Sequence, residues 1–175
     1  MFLSCQTAFT ALEDQKLAFL ATLESLPPAH LAHTPALGVW SALQVLDHLV
    51  RVEVGTSVAT RRGLRSPHHV SEQDRMAAQR LDDGLRSEAR YTVPAGAESA
   101  HPAPNPEWND LVDRWSKNRI KLAGFLETLT DDQIHLGCFD HPGSGWMTAS
   151  MVLDFLHAHT LHHTYQLKRL RESLA

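Results

Sequence analysis

Helical spacing of apolar residues recurs in four long segments, and the alternating Val, Ile and Thr runs that a half-buried strand requires are nearly absent. Phe9, Leu12, Phe19, Leu23 and Leu26 suit one face of a first helix, which Pro27-Pro28 must end because proline has no N–H and clashes with the preceding turn. Ser41 is a plausible N-cap for a second helix, SALQVLDHLVRVEVGTSVATRR, with Ala42, Val45, Leu49 and Val52 on its apolar side and Gly63 as its stop. Trp108, Leu111, Trp115, Leu122, Phe125 and Leu129 mark a third long helix, which exits at Thr130-Asp131-Asp132. Thr148 can cap a last one, ASMVLDFLHAHTLHHTYQLKRLRES. Striped helices bury their stripes most simply against one another, so the expected fold is all-α, a four-helix bundle.

The connections carry their own signals. Ser71 to Asp74 resembles a capping box and opens a short extra helix through Leu81, closed by Gly84. From Arg86 to Pro106 the sequence RSEARYTVPAGAESAHPAPNP, with prolines at 94, 102, 104 and 106, has no period and reads as a long loop crossing between the second and third long helices. A loop of that length either covers a site or is a tolerated surface insertion. The second connection, HLGCFDHPGSGWMT, holds Gly137, Pro142, Gly143 and Gly145. At 175 residues the chain has room for one domain with a proper core, residues 1–175, and not for two.

Composition excludes several partners. The net charge is -4, and no run of basic residues exceeds Arg61-Arg62, so neither a nucleic acid nor an anionic membrane finds a concentrated basic face. No stretch approaches 18 uninterrupted apolar residues, and the start, MFLSCQTAFTALEDQ, lacks the positive charge of a signal peptide. The expected location is cytoplasmic, with Cys5 and Cys138 as free thiols.

Histidine is the unusual component, at 12 residues. A heptad register laid over the last helix places Ala149, Leu156, His163 and Leu170 on one seam and Val152, His159, Gln166 and Ser173 on the other. Three successive core layers, at His159, His163 and Gln166, are thus polar, and burying each costs about 1–3 kcal/mol unless it finds a partner. Two histidines at i and i+4 can reach one cation at about 2.0–2.1 Å. In a chain this rich in histidine, roughly one such pair, or slightly fewer, arises by chance, so placement on a buried seam is the stronger signal. A zinc-type site with an open position needs a third protein ligand. His48, between Val45 and Val52 on the inward side of the second helix, is the best candidate. His162, three residues after His159, is an alternative ligand that points off the seam. His30, His33, His68, His69, His101, His135 and His141 fall in loops or at helix ends, where solvation is the default.

Phosphate-binding, dinucleotide and G-x-S-x-G signatures are missing. His159 to His163 has the outer spacing of a metalloprotease H-E-x-x-H, but Thr160 stands where the general base would, which excludes that class.

Trp40-Ser41, His48 within LDHLVRVE, the proline-rich crossing loop, and GWMT leading into His159, His163, Gln166 and Leu167 together resemble the DinB-like (DinB/YfiT) family over nearly the whole chain. The resemblance implies a four-helix bundle, often homodimeric, with one divalent metal held by His48, His159 and His163 and with Gln166 as a neighbour. Family members include bacillithiol-dependent transferases and a mycothiol-dependent isomerase. Two departures stand out: Thr160 replaces a frequent Glu, and Thr164-Tyr165 replaces a frequent Arg-Gly. The implied function is a thiol S-transferase or hydrolase acting on small electrophiles in stress or detoxification, with a small-molecule thiol as partner. The alternative is a non-enzymatic, damage-inducible protein that binds metal or serves as a helical interaction module. Zn and Ni head the compatible metals, and Fe, Co and Cu also suit three imidazoles.

Overall fold

A computed structural model describes residues 1–93 and 96–174. Its helices are α1 (Leu3–Glu24), α2 (Pro28–Leu31), α3 (Ala42–Gly63), α4 (Glu72–Arg86), α5 (Trp108–Glu127) and α6 (Ala149–Leu174). The four expected long helices are α1, α3, α5 and α6. Pro27 and Pro28 do end the first, and Pro28 then opens the single turn of α2. Ser41 caps α3 through a reciprocal box: its hydroxyl accepts from the Gln44 N–H at 3.2 Å, and the Gln44 side chain accepts from the Ser41 N–H at 3.0 Å. Thr148 accepts from the Met151 N–H at 3.4 Å at the start of α6.

α6 is the central element. It packs on α1, α3 and α4, while α5 packs on α3. Three neighbours bury a wider arc than a two-seam register allows, so Leu153, Ala158, Thr160 and Leu167 are buried as well as the seam, while Gln166 is only half-buried and Ser173 is exposed. The apolar core falls into two clusters. One holds Leu12, Leu122, Leu126, Met147, Leu153 and Leu156, and the other holds Phe19, Leu23, Val45, Trp115, Leu167 and Leu170. Along α6 the polar layers of residues 159–166 separate them.

A buried ionic group ties three helices together. Arg119 of α5 donates from Nε and Nη2 to the two carboxylate oxygens of Glu53 on α3, at 2.6 and 2.7 Å, and from Nη1 to Glu13 of α1 at 2.6 Å. Trp115 Nε1 and Asn118 Nδ2 also donate to Glu53, at 2.7 and 2.9 Å. Every oxygen of the carboxylate is therefore engaged, the condition under which a buried charge is tolerated.

Three local features depart from the sequence reading. α4 runs two residues past Gly84, whose role is close approach: a Cβ there would lie 2.7 Å from the Tyr91 hydroxyl. Gly63 likewise ends α3 without a left-handed φ, and a Cβ would collide with the Cys138 carbonyl. The connection 136–147 forms short antiparallel ladders: β1 (His68–His69) with β2 (Leu136–Gly137), and β3 (Phe139–His141) with β4 (Gly145–Met147). Strands of two or three residues are too short to show alternation. Among the described residues, the segment after α4 is irregular apart from a 3-10 turn at Glu98–Ala100, as a long loop should be; Pro94, one of its four prolines, lies outside them. No helix among the described residues is long and apolar enough to cross a membrane. Cys5 and Cys138 are free and buried.

Candidate metal centre

α3 and α6 face each other across the polar layers and bring three imidazoles together. His159 and His163 lie one turn apart on α6, with Nε2 atoms 3.2 Å apart, and His48 of α3 places its Nε2 3.2 Å from that of His159. One nitrogen from each residue lies within 4.8 Å of the others, and no carboxylate or thiol joins the group among the described residues. His48 and His163 are 5% exposed, whereas His159 is half-buried and marks the side that solvent reaches.

Hydrogen bonds on the far ring atoms settle which nitrogens carry lone pairs. The Ala100 carbonyl, which can only accept, lies 2.8 Å from His48 Nδ1, so that atom holds the proton. The Gln166 amide oxygen lies 2.7 Å from His163 Nδ1 and fixes the same tautomer. In the neutral form both Nε2 atoms thus present lone pairs to His159 Nε2, which can donate to only one of them. The remaining contact sets lone pair against lone pair unless a cation lies between. Two tetrahedral ligands at about 2.0–2.1 Å from a zinc-type ion stand about 3.3 Å apart, close to the 3.2 Å seen here. The donor set fits a divalent metal.

Electrostatics keeps these rings neutral. Burial lowers the pKa of His48 below its ordinary 6.5, and burial followed by the neighbouring imidazoles holds His159 and His163 well below it. Deprotonated imidazole is the form that binds a metal.

Aromatic rings wall the site. Trp40 packs on His48 with centroids 4.9 Å apart, and Phe155 lies 5.7 Å from His159 in a stacked orientation. His162 sits beside the group and not within it. Its ring is 5.1 Å from that of His163 and 5.4 Å from that of Tyr91. His141 is half-buried against Phe155 at 4.8 Å and so is not the freely solvated imidazole that its loop position suggests, whereas His68, stacked on Trp146 at 3.8 Å, is exposed as expected.

The two departures from the family pattern are structurally quiet. Thr160 donates to the Leu156 carbonyl at 2.9 Å and Thr164 to the Thr160 carbonyl at 3.1 Å, so neither supplies a base. Glu53 is consumed by its ion pair. Burial pushes the Cys138 thiol up to about 12, which leaves it inert as a nucleophile. Sequence reasoning missed the Ala100 carbonyl, because a backbone oxygen in a proline-rich loop has no side-chain signal.

Comparison with known proteins bears on this geometry. The chain superposes on YfiT from Bacillus subtilis, described as a probable metal-dependent hydrolase with an unusual four-helix bundle topology, with a TM-score of 0.59 at 18% identity over 97% of this chain and 87% of that one. It also superposes on TT2238, described as a four-helix bundle protein, with a TM-score of 0.57 at 19% identity over 94% of this chain and 98% of that one. At these identities the likeness establishes the fold. No curated protein matches the chain. The model of the DinB superfamily matches residues 11–167, which span both the α3 and the α6 histidines, and the chain therefore belongs to the DinB superfamily.

Proposed function

We propose that the chain is a metal-dependent enzyme in which His48, His159 and His163 hold one divalent ion, Zn or Ni foremost, and that it joins a low-molecular-weight thiol to a small electrophile. The observation that carries this reading is the convergence of three Nε2 atoms, two of them with the tautomer set by Ala100 and Gln166. A structural ion is enclosed by four protein ligands, whereas three leave a position for substrate. YfiT, the neighbour described as a probable metal-dependent hydrolase, supports metal chemistry on this fold.

The chemistry supplied by such an ion is Lewis acidity, which brings deprotonation of water or of a small thiol toward neutral pH. No carboxylate belongs to the histidine group, and Thr160 is committed to the helix backbone. Neither of these positions therefore supplies a base to share the task. A thiol of pKa about 8.5 needs a shift of only one or two units, whereas water at about 15.7 needs about eight. This difference favours the thiol as nucleophile, with hydrolysis as the second reaction to test. His48 and His163 keep their Nε2 lone pairs directed inward, Trp40 and Phe155 exclude water from two sides, and the half-buried edge at His159 admits the electrophile.

The test loads metal-free protein with Zn or Ni and follows thiol consumption and product mass across a panel of alkyl and epoxide electrophiles, with ester hydrolysis in parallel. Turnover that needs metal and is lost in H159A but kept in H162A is the expected result. Fully loaded protein that turns over neither thiol nor ester would remove the enzyme reading.

A further inference from the structure

A buried carboxylate precedes His48 on α3 and is not a member of the histidine group. Asp47 is 1% exposed, and its Oδ2 accepts both from Arg51 Nε at 2.7 Å and from the Ala103 backbone N–H at 2.7 Å. Arg114 Nη1 stands 3.7 Å from the other oxygen. Both arginines are substantially exposed, at 33% and 46%, and solvent can serve them. Among these partners, the backbone amide of Ala103 is the one that depends on this acceptor.

The same segment returns to α3 twice. Gln44 Nε2 donates to the carbonyls of Ala103 and Pro104, at 3.4 and 3.3 Å. Three residues upstream of Ala103, the Ala100 carbonyl accepts from His48 Nδ1 at 2.8 Å. The link between these two anchors is His101-Pro102-Ala103-Pro104, in which two prolines fix φ and bias the residue before each toward extended backbone. On its other side Ala100 closes a 3-10 turn, with its N–H donating to the Ala97 carbonyl at 2.9 Å. Only His101 and Pro102 separate Ala103 from Ala100, so a displacement at Ala103 is transmitted to the Ala100 carbonyl.

We propose that Asp47 is a positioning residue for the metal centre: by clamping Ala103 it holds the Ala100 carbonyl on His48 Nδ1, and so couples docking of residues 98–104 to divalent-metal affinity. The inference rests on the reading of His48, His159 and His163 as ligands. An acceptor on the far nitrogen of a ligating imidazole fixes its tautomer and raises its basicity, and its loss typically weakens metal binding about 10- to 100-fold. Linkage makes the coupling reciprocal: whatever factor docking contributes to metal affinity, metal occupancy returns to docking. A clamp that served only to stabilise the loop would show no such exchange.

The experiment measures Zn affinity by chelator competition and hydrogen exchange across residues 98–104, with and without Zn, in the full-length wild type, D47A and A103P. A103P removes the clamped N–H while leaving Asp47 in place, and keeps the readout should D47A fold poorly. The expected result is Zn affinity 10- to 100-fold weaker in the variants, with Zn slowing exchange of the segment in the wild type and doing so far less in the variants. Variants whose segment exchanges freely yet which bind Zn within twofold of wild type would overturn the inference alone. A wild type that binds no Zn would overturn the ligand reading and this inference with it.

Discussion

Replacing Gln166 by Leu tests the other orienting contact of the site. Its amide oxygen lies 2.7 Å from His163 Nδ1, and Leu preserves bulk while removing the acceptor. When His163 Nε2 shares its lone pair with a cation, the Nδ1–H is polarised, and hydrogen bonds to charged groups contribute about 1.5–3 kcal/mol. That range corresponds to about a 10- to 150-fold increase in metal Kd at 1.4 kcal/mol per decade. The cost to the metal-free fold should be smaller, about 1 kcal/mol, because without a cation the buried, neutral His163 ring can carry its proton on Nε2, facing His159, and need not leave an unpaired Nδ1–H. Metal affinity and fold stability should therefore separate. The assay is chelator competition for Zn on Q166L, with urea unfolding of the metal-free protein alongside. Q166E supplies the opposite sign, since a carboxylate accepts more strongly and should match or tighten wild-type binding. A Q166L protein that binds Zn within twofold of wild type, or a Q166E protein that binds much more weakly, would refute the tautomer argument.

Two further outcomes follow from burial. In the metal-free protein His48, His159 and His163 have pKa values lowered from 6.5, chiefly by desolvation, so the unfolded chain binds more protons than the native one below that pH. Their contribution to stability is complete above about pH 6.5 and is lost as pH falls, with a limiting slope of about 1.4 kcal/mol per pH unit for each histidine; a urea midpoint unchanged between pH 7 and 5.5 would contradict the shifts. In the Glu53–Arg119 group, R119M leaves a buried carboxylate without its cation and should cost about 3–5 kcal/mol. Thermal unfolding should show this as a fall in Tm of roughly 6–20 °C, and adding E53Q, which discharges the orphaned carboxylate, should restore part of it.

The long helices and the unusual histidines were both legible along the chain. Apolar period, the caps Ser41, Ser71 and Thr148, and the Pro27-Pro28 stop are local effects of backbone hydrogen bonding, and each lies where local rules put it. His48, His159 and His163 stood out because each interrupts a stripe that burial would otherwise make apolar. Tertiary structure alone decided the rest. It made α6 central, so that its buried arc exceeds a two-seam register, and it made Gly63, at the end of α3, and Gly84, inside α4, points of close approach to Cys138 and Tyr91, contacts that no helical period encodes. It also set the tautomers. Which nitrogen of His48 faces the site depends on a backbone carbonyl 52 residues away, in a segment whose Ala103 N–H donates to the buried Asp47 carboxylate, and no local period encodes a meeting of that kind.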